Sequence, residues 1–190
     1  LDIMKRIPSG GGLGGGSSDA ATVLLIMNKL WALDLKRQEL QEMAVLIGAD
    51  VPFFVFGRNA FAEGIGERLS PLNLAKTCYL VIHPNCSVST PSVFGDSELT
   101  RNSKPIKIAD FSSCEGRNDL QDTVCRLYPE VRLALEWLGQ YGPSAMSGSG
   151  SSVFCPFADP GRAKALVAKV PSNWFGFVAR GLDYHPLFDG

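Results

Sequence analysis

The chain has 190 residues, 45% of them hydrophobic, and its 18 Lys and Arg nearly balance 19 Asp and Glu. Such a composition builds the packed core of one large or two small domains, and it excludes a disordered chain or a nucleic-acid groove lined with basic and aromatic residues. Five cysteines without a CxxC pair and two histidines support neither a disulfide frame nor a zinc site; the short apolar runs and the lack of a signal peptide predict no membrane partner and a cytoplasmic protein.

In chain order, the first feature is IPSGGGLGGGSSDAATVLLIMNKLW at residues 7 to 31, where six of the seven positions from Gly10 to Gly16 are glycine. Ala20, Val23, Leu24, Met27, Leu30 and Trp31 then recur at helical spacing. They predict an amphipathic helix with Ser17 or Ser18 as N-cap, Asp19 in its positive first turn and Trp31 in the core. A second helix is predicted over residues 37 to 47, stopped by Gly48, with GADVPFF as a loop into the next apolar segment. NAFAEGIGERLSPL predicts two short strands about a Gly-Ile-Gly turn, and CYLVIHP a buried strand ended by Pro84.

Beyond that strand, helices are predicted near residues 91–99, 118–127 and 130–138, then strands near 144–147 and 151–157, a helix at 162–170 and a strand at 174–180. This order implies an α+β unit in which helices cover one face of an antiparallel sheet. TRNSKPIKIADFSSCEGRN, polar and rich in turn formers, is the expected mobile loop. Cys78, Cys125, Cys155, Trp137 and Trp174 lie in apolar runs and are expected in the core.

A glycine-rich turn that opens into a helix presents bare N–H groups at the positive end of the helix dipole, which makes an anion cradle. Three classes of glycine loop compete for the reading. Gly11 to Gly16 has the spacing of the P-loop pattern, but Ser17 stands where its lysine must be. The dinucleotide pattern GxGxxG is met by Gly10, Gly12 and Gly15, as a glycine run meets it almost automatically. Pro8 spoils the strand that should lead into it, and no acidic residue follows at a strand end to grip a ribose. The third class fits in detail: IPSGGGLGGGSSDAA resembles the phosphate loop of the GHMP kinase superfamily, whose general form is P-x-x-x-G-L-G-S-S-A-A. The doubled glycine block, LGADVPFFVFGRNAFAEGIGERL, VSTPSVF, RNDLQDTVCRLYPEV and SAMSGSGSSVF extend the resemblance over nearly the whole chain. They narrow it to the branch that phosphorylates a cytidine diphosphate-linked methylerythritol for non-mevalonate isoprenoid synthesis.

That resemblance implies roles for particular residues. Pro8, Ser9, Gly10, Gly11, Gly12, Leu13, Gly14, Gly15, Gly16, Ser17 and Ser18 would wrap the phosphates of ATP. Mg2+ would accompany the nucleotide, its protein ligands undefined except that Ser18 is within the motif. Asp50 of GADVPFF would act on the substrate hydroxyl as general base or electrostatic positioner. From the residues alone, Asp50 reads first as the N-cap of the next turn, and apolar Val51, Phe53 and Phe54 would lower the dielectric around it. Thr90 and Phe94 would meet the cytidine moiety, with a buried helix face as the other reading of Phe94. Ser147, Gly148, Ser149 and Gly150 would form a second glycine turn beside the phosphate loop. Lys5 and Arg6 would either add charge near the nucleotide or be solvated surface.

The implied fold is α+β: an N-terminal domain of the ribosomal protein S5 domain 2 type over residues 1–72, incomplete here, and a ferredoxin-like C-terminal domain over 73–190. The family places its catalytic lysine in a P-A-K-x-N-L segment, which is expected upstream of Leu1 because no such segment occurs here. The chain by itself is therefore expected to be inactive and poorly stable. The implied partner is the small-molecule acceptor, and a homodimer is left open.

Overall fold

The structure, a computed structural model, describes residues 2–103 and 117–188. Most of the polar loop at 100–118, with Cys114, therefore lies outside the described residues. The chain divides into two compact units: the N-terminal segment through Leu13 belongs with residues 77–181, and residues 14–76 belong with the C-terminal segment from Leu182.

The first unit is built on the strands β3 (Cys78–His83), β4 (Ala145–Met146), β5 (Val153–Phe157) and β6 (Phe175–Arg180), in the order β4-β5-β3-β6 with every pair antiparallel. Numbered within the unit, that is the order two-three-one-four of a ferredoxin-like sheet. Leu80 stands opposite Cys155 on one side and Val178 on the other. Alternation then sends Leu80, Ile82, Val153 and Cys155, all fully buried, to one face. Helix α6 (Pro129–Gly139) lays Val131, Ala134, Leu135 and Leu138 on that face at i, i+3, i+4 and i+7. Helix α5 (Gln121–Leu127) adds Val124 and α7 (Pro160–Val167) adds Ala163 and Leu166 to the same core. Trp137 and Trp174, expected in the core, are half-buried: they pack against it and meet each other edge to face. The helix expected over 91–99 is only the short α4 (Thr90–Phe94), because Gly95 ends it.

The second unit packs α1 (Gly15–Leu30), α2 (Arg37–Val45) and α3 (Val51–Phe56) around Ala21, Leu40, Ala44, Val51 and Val55. A hairpin of β1 (Ala60–Glu63) and β2 (Arg68–Pro71) follows. Three expectations are corrected here. GADVPFF does not stay a loop, since α3 starts at Val51 with Pro52 in its first turn, where a missing N–H costs nothing. Neither Ser17 nor Ser18 caps α1: the N-cap is Gly14, left-handed at φ +65°, and the serines already lie inside the first turn. Trp31 is 61% exposed, not core, because α1 ends at Leu30 and the described residues leave that end of its apolar stripe uncovered. No helix among the described residues is long and apolar enough to cross a membrane.

Candidate phosphate-binding site

The glycine loop has a regular backbone. Gly10, Gly12 and Gly14 take φ of +71°, +69° and +65°, while Gly11 and Leu13 between them do not enter positive φ. Alternation of this kind turns successive N–H groups toward a common concavity, an anion-binding nest. The carbonyls of the loop are engaged elsewhere: Ser152 N–H donates to Gly11 O at 3.0 Å and the Ser147 hydroxyl donates to Gly12 O at 2.7 Å. Among the described residues, no N–H from Gly10 to Ser17 donates to a protein acceptor; the first such bond is Ser18 N–H to Gly14 O at 2.9 Å, which closes the first turn of α1.

The glycines of the loop are bare for different reasons. A Cβ on Gly12 would lie 2.2 Å from Ser147 O and 2.7 Å from Gly150 O. On Gly11 it would meet Ser152 Oγ at 2.9 Å, and on Gly10 Ser87 Oγ at 2.9 Å. Close approach of the 147–152 turn and its neighbours thus accounts for the first three glycines without any ligand. Gly14 abuts the Phe54 ring. Gly16 is different, since no atom would lie within 4 Å of a Cβ there. No contact among the described residues explains its bareness.

The turn that holds the loop is itself braced. Ser147 N–H donates to Ser152 O and Gly150 N–H to Ser147 O, each at 2.9 Å, with Gly148 and Gly150 at positive φ. Beneath it, the Ser151 hydroxyl donates to Cys86 O and lies 3.0 Å from His83 Nδ1. One hydroxyl carries one proton, so with that proton on Cys86 O the imidazole must be the donor, which sets the Nδ1–H tautomer. His83 is 7% exposed, and burial holds its pKa below the ordinary histidine value. The same burial pushes the Cys86 thiol up. Ser152 Oγ is buried with no partner among the described residues, beside Gly11.

Thr90 meets this turn, its Oγ1 lying 2.9 Å from Ser149 Oγ. Phe94, four residues along α4, is 55% exposed, so its ring is not the buried face of a helix. The chain after α4 is pinned by cations: Arg101 donates to Phe94 O at 2.6 Å, and Arg126 pairs with Asp96 at 2.6 Å and with Glu98 at 3.1 Å. The hydrogen bond from Arg126 holds the Asp96 carboxyl below its usual range.

Asp50 occupies the N-cap position of α3 but accepts no capping bond, and it is exposed. The helix buries Val51, Pro52 and Val55 and leaves Asp50 in water, so neither the capping role nor the low-dielectric surroundings read from its neighbours is realised. Among the described residues no group of three or more His, Cys, Asp or Glu is placed to hold a metal. A hollow of about 280 Å³ in the second unit, lined by Arg58, Asn73, Lys76, Asp183 and Tyr184 among others, contains none of the predicted site residues.

Three contributors escaped the sequence reading. His83 was visible only as the end of a strand, and Asn118 and Gln121 only as polar residues at a helix start. Yet Asn118 Nδ2 donates to Met146 O at 3.0 Å and to Gly148 O at 2.8 Å, while Gln121 Oε1 accepts from Met146 N–H at 2.9 Å.

Comparison with known proteins agrees with this anatomy. Residues 1–58 match the family model of the GHMP kinases N terminal domain, and residues 99–176 match that of the GHMP kinases C terminal. The 4-diphosphocytidyl-2-C-methyl-D-erythritol kinase of Thiobacillus denitrificans is 54% identical over 189 residues, which cover 100% of this chain and 68% of that protein. The kinase of the same name from Nitrosospira multiformis is 55% identical over 190 residues, covering 98% and 65%. The chain thus spans about two thirds of the length of these relatives. A crystal structure of 4-(cytidine 5'-diphospho)-2C-methyl-D-erythritol kinase superposes with a TM-score of 0.77 at 35% identity, over 93% of this chain and 68% of that one. Homoserine kinase from Cytophaga hutchinsonii shares the fold, at TM-score 0.67 and 16% identity over 95% and 69%.

Proposed function

Because the chain belongs to the GHMP kinase family, we propose that its protein transfers the γ-phosphoryl group of ATP to the 2-hydroxyl of 4-diphosphocytidyl-2-C-methyl-D-erythritol. The observation that carries this reading is the run of unengaged N–H groups from Gly10 to Ser17, whose carbonyl partners at Gly11 and Gly12 are already held from behind. Donors without acceptors along one continuous glycine loop suit the oxygens of a polyphosphate.

In this reading the loop from Pro8 to Ser18 binds and orients the triphosphate, with the residues 147–150 turn holding it in shape. The acceptor oxygen forms a bond to the γ-phosphorus, the bond to the β-γ bridging oxygen breaks, and ADP leaves. Asp50 aligns the acceptor hydroxyl and takes or guides its proton. Its exposure leaves the carboxylate open to an incoming acceptor. Thr90 and Phe94 hold the cytidyl end, where stacking of a base on an aromatic ring contributes about 1–3 kcal/mol.

Mg2+ supplies charge neutralisation between the β- and γ-phosphate oxygens when bound. Within the motif, the Ser18 hydroxyl would offer it a protein oxygen, with phosphate oxygens and water completing the all-oxygen shell this ion takes.

The test is ADP release by the full-length protein with this cytidyl acceptor, set against mevalonate, galactose and homoserine. The reading expects turnover with the first alone. Turnover with one of the other three in its place moves the protein to another branch of the family, and ATP binding without turnover on any acceptor makes it a nucleotide-binding protein.

A further inference from the structure

We propose that Asn118 is a positioning residue for the phosphate loop, acting through the second glycine turn. The proposal rests on the reading that residues 8–18 hold ATP, and it adds a residue to which neither the motifs nor the family comparison assigned a role.

The amide of Asn118 makes three bonds that only one orientation satisfies. Its Nδ2 donates to Met146 O at 3.0 Å and to Gly148 O at 2.8 Å, and its Oδ1 accepts from Leu120 N–H at 3.0 Å. The amide thus spans the entrance of the turn, gripping the carbonyl before Ser147 and the one after it. Gln121, one helical turn along, takes the Met146 N–H. With both neighbours held, Ser147 has little freedom: its hydroxyl reaches Gly12 O and its own carbonyl faces the Gly12 Cα at the closest approach in the loop. Gly148 meets the loop again, since a Cβ there would lie 3.0 Å from Gly12 O. A peptide plane that is fixed at its carbonyl is fixed at its N–H as well, so the relay Asn118, turn, Gly12 sets the direction of amides at the heart of the nest.

This role separates cleanly from a merely structural one. The Oδ1 bond to Leu120 N–H is a local Asx turn just ahead of α5, which an aspartate makes equally well. The two Nδ2 donations are different, because a carboxylate oxygen in that place opposes two carbonyl oxygens. Asn118→Asp therefore keeps the turn and destroys the brace.

The experiment measures KM for ATP, KM for the cytidyl acceptor and the melting temperature of the full-length protein, for Asn118→Asp and for Gly16→Gln. The proposal expects Asn118→Asp to raise the KM for ATP roughly tenfold or more, the usual scale for stranding hydrogen-bonded partners, with the acceptor KM within about twofold. A rise with Gly16→Gln and none with Asn118→Asp overturns the proposal and leaves the phosphate-loop reading standing. No rise with either variant overturns that reading and the proposal with it. Equal rises in both KM values with Asn118→Asp reduce Asn118 to general support of the unit and also overturn the proposal. Should Asn118→Asp fail to fold, Ser147→Ala carries the test at the far end of the relay: it removes one hydroxyl, and an unchanged KM for ATP refutes the relay.

Discussion

The hydroxyl of Ser147 donates to the carbonyl of Gly12 across 2.7 Å, although 135 positions of chain separate them. The same serine's carbonyl would lie 2.2 Å from a Cβ on Gly12. Gly12→Ala therefore sets a side chain against backbone and forces an alanine into left-handed φ, which alone costs about 1–2 kcal/mol. The expected result is a lowered melting temperature together with a raised KM for ATP. Gly16→Ala is the contrast. It fills open space inside a helix, where alanine exceeds glycine by up to about 1 kcal/mol, so melting stays level or rises.

The imidazole of His83 is buried, its Nδ1 proton is committed to Ser151, and its pKa is lowered by desolvation. Above the unfolded value near 6.5 both states are neutral and His83 adds no pH dependence. As pH falls below that, the unfolded chain takes the proton first, and stability drops until the folded pKa is reached. His185, also depressed by burial and by Arg37, contributes in the same direction. His83→Gln is expected to flatten, without abolishing, the fall in melting temperature between about pH 7 and 5. An identical profile in the variant would remove His83 from the account.

Phe94 is exposed, so trimming it to alanine leaves the core intact. The expected outcome is a melting temperature near that of the parent and a larger KM for the cytidyl acceptor, by about 5- to 100-fold if the ring stacks on the base. KM for ATP should change little. Equal effects on both substrates would point to altered packing of α4 instead.

Asp50 is exposed and caps nothing. Asp50→Asn should therefore fold normally, keep its affinity for ATP and lose about 10²- to 10⁴-fold in kcat, the range for removal of a general base. A variant with full kcat would leave Asp50 without a chemical part.

Much of this architecture is readable from local pattern. β3 is legible because CYLVIH is a short apolar run closed by Pro84, and α6 because Val131, Ala134, Leu135 and Leu138 keep helical spacing behind Pro129. The start of α1 is not, since capping rules look for a side-chain acceptor such as Ser17, whereas the chain enters the helix through the left-handed φ of Gly14. The fate of Trp31 depends on what covers the end of a stripe, which periodicity does not encode. In the site, the glycine block and the residues 147–150 turn are each visible alone. Their interlock is a long-range contact, and so is the brace from Asn118, whose polar side chain near a helix start looks like an ordinary cap.

The central claim is that the free amides from Gly10 to Ser17 receive the phosphates of ATP. Gly16 offers the most direct measurement, because no contact among the described residues explains its missing side chain. Steady-state titration of ATP with full-length Gly16→Gln, beside its melting curve, should show an intact fold and a KM for ATP raised about tenfold or more. An intact fold with the parent's KM for ATP would contradict the claim.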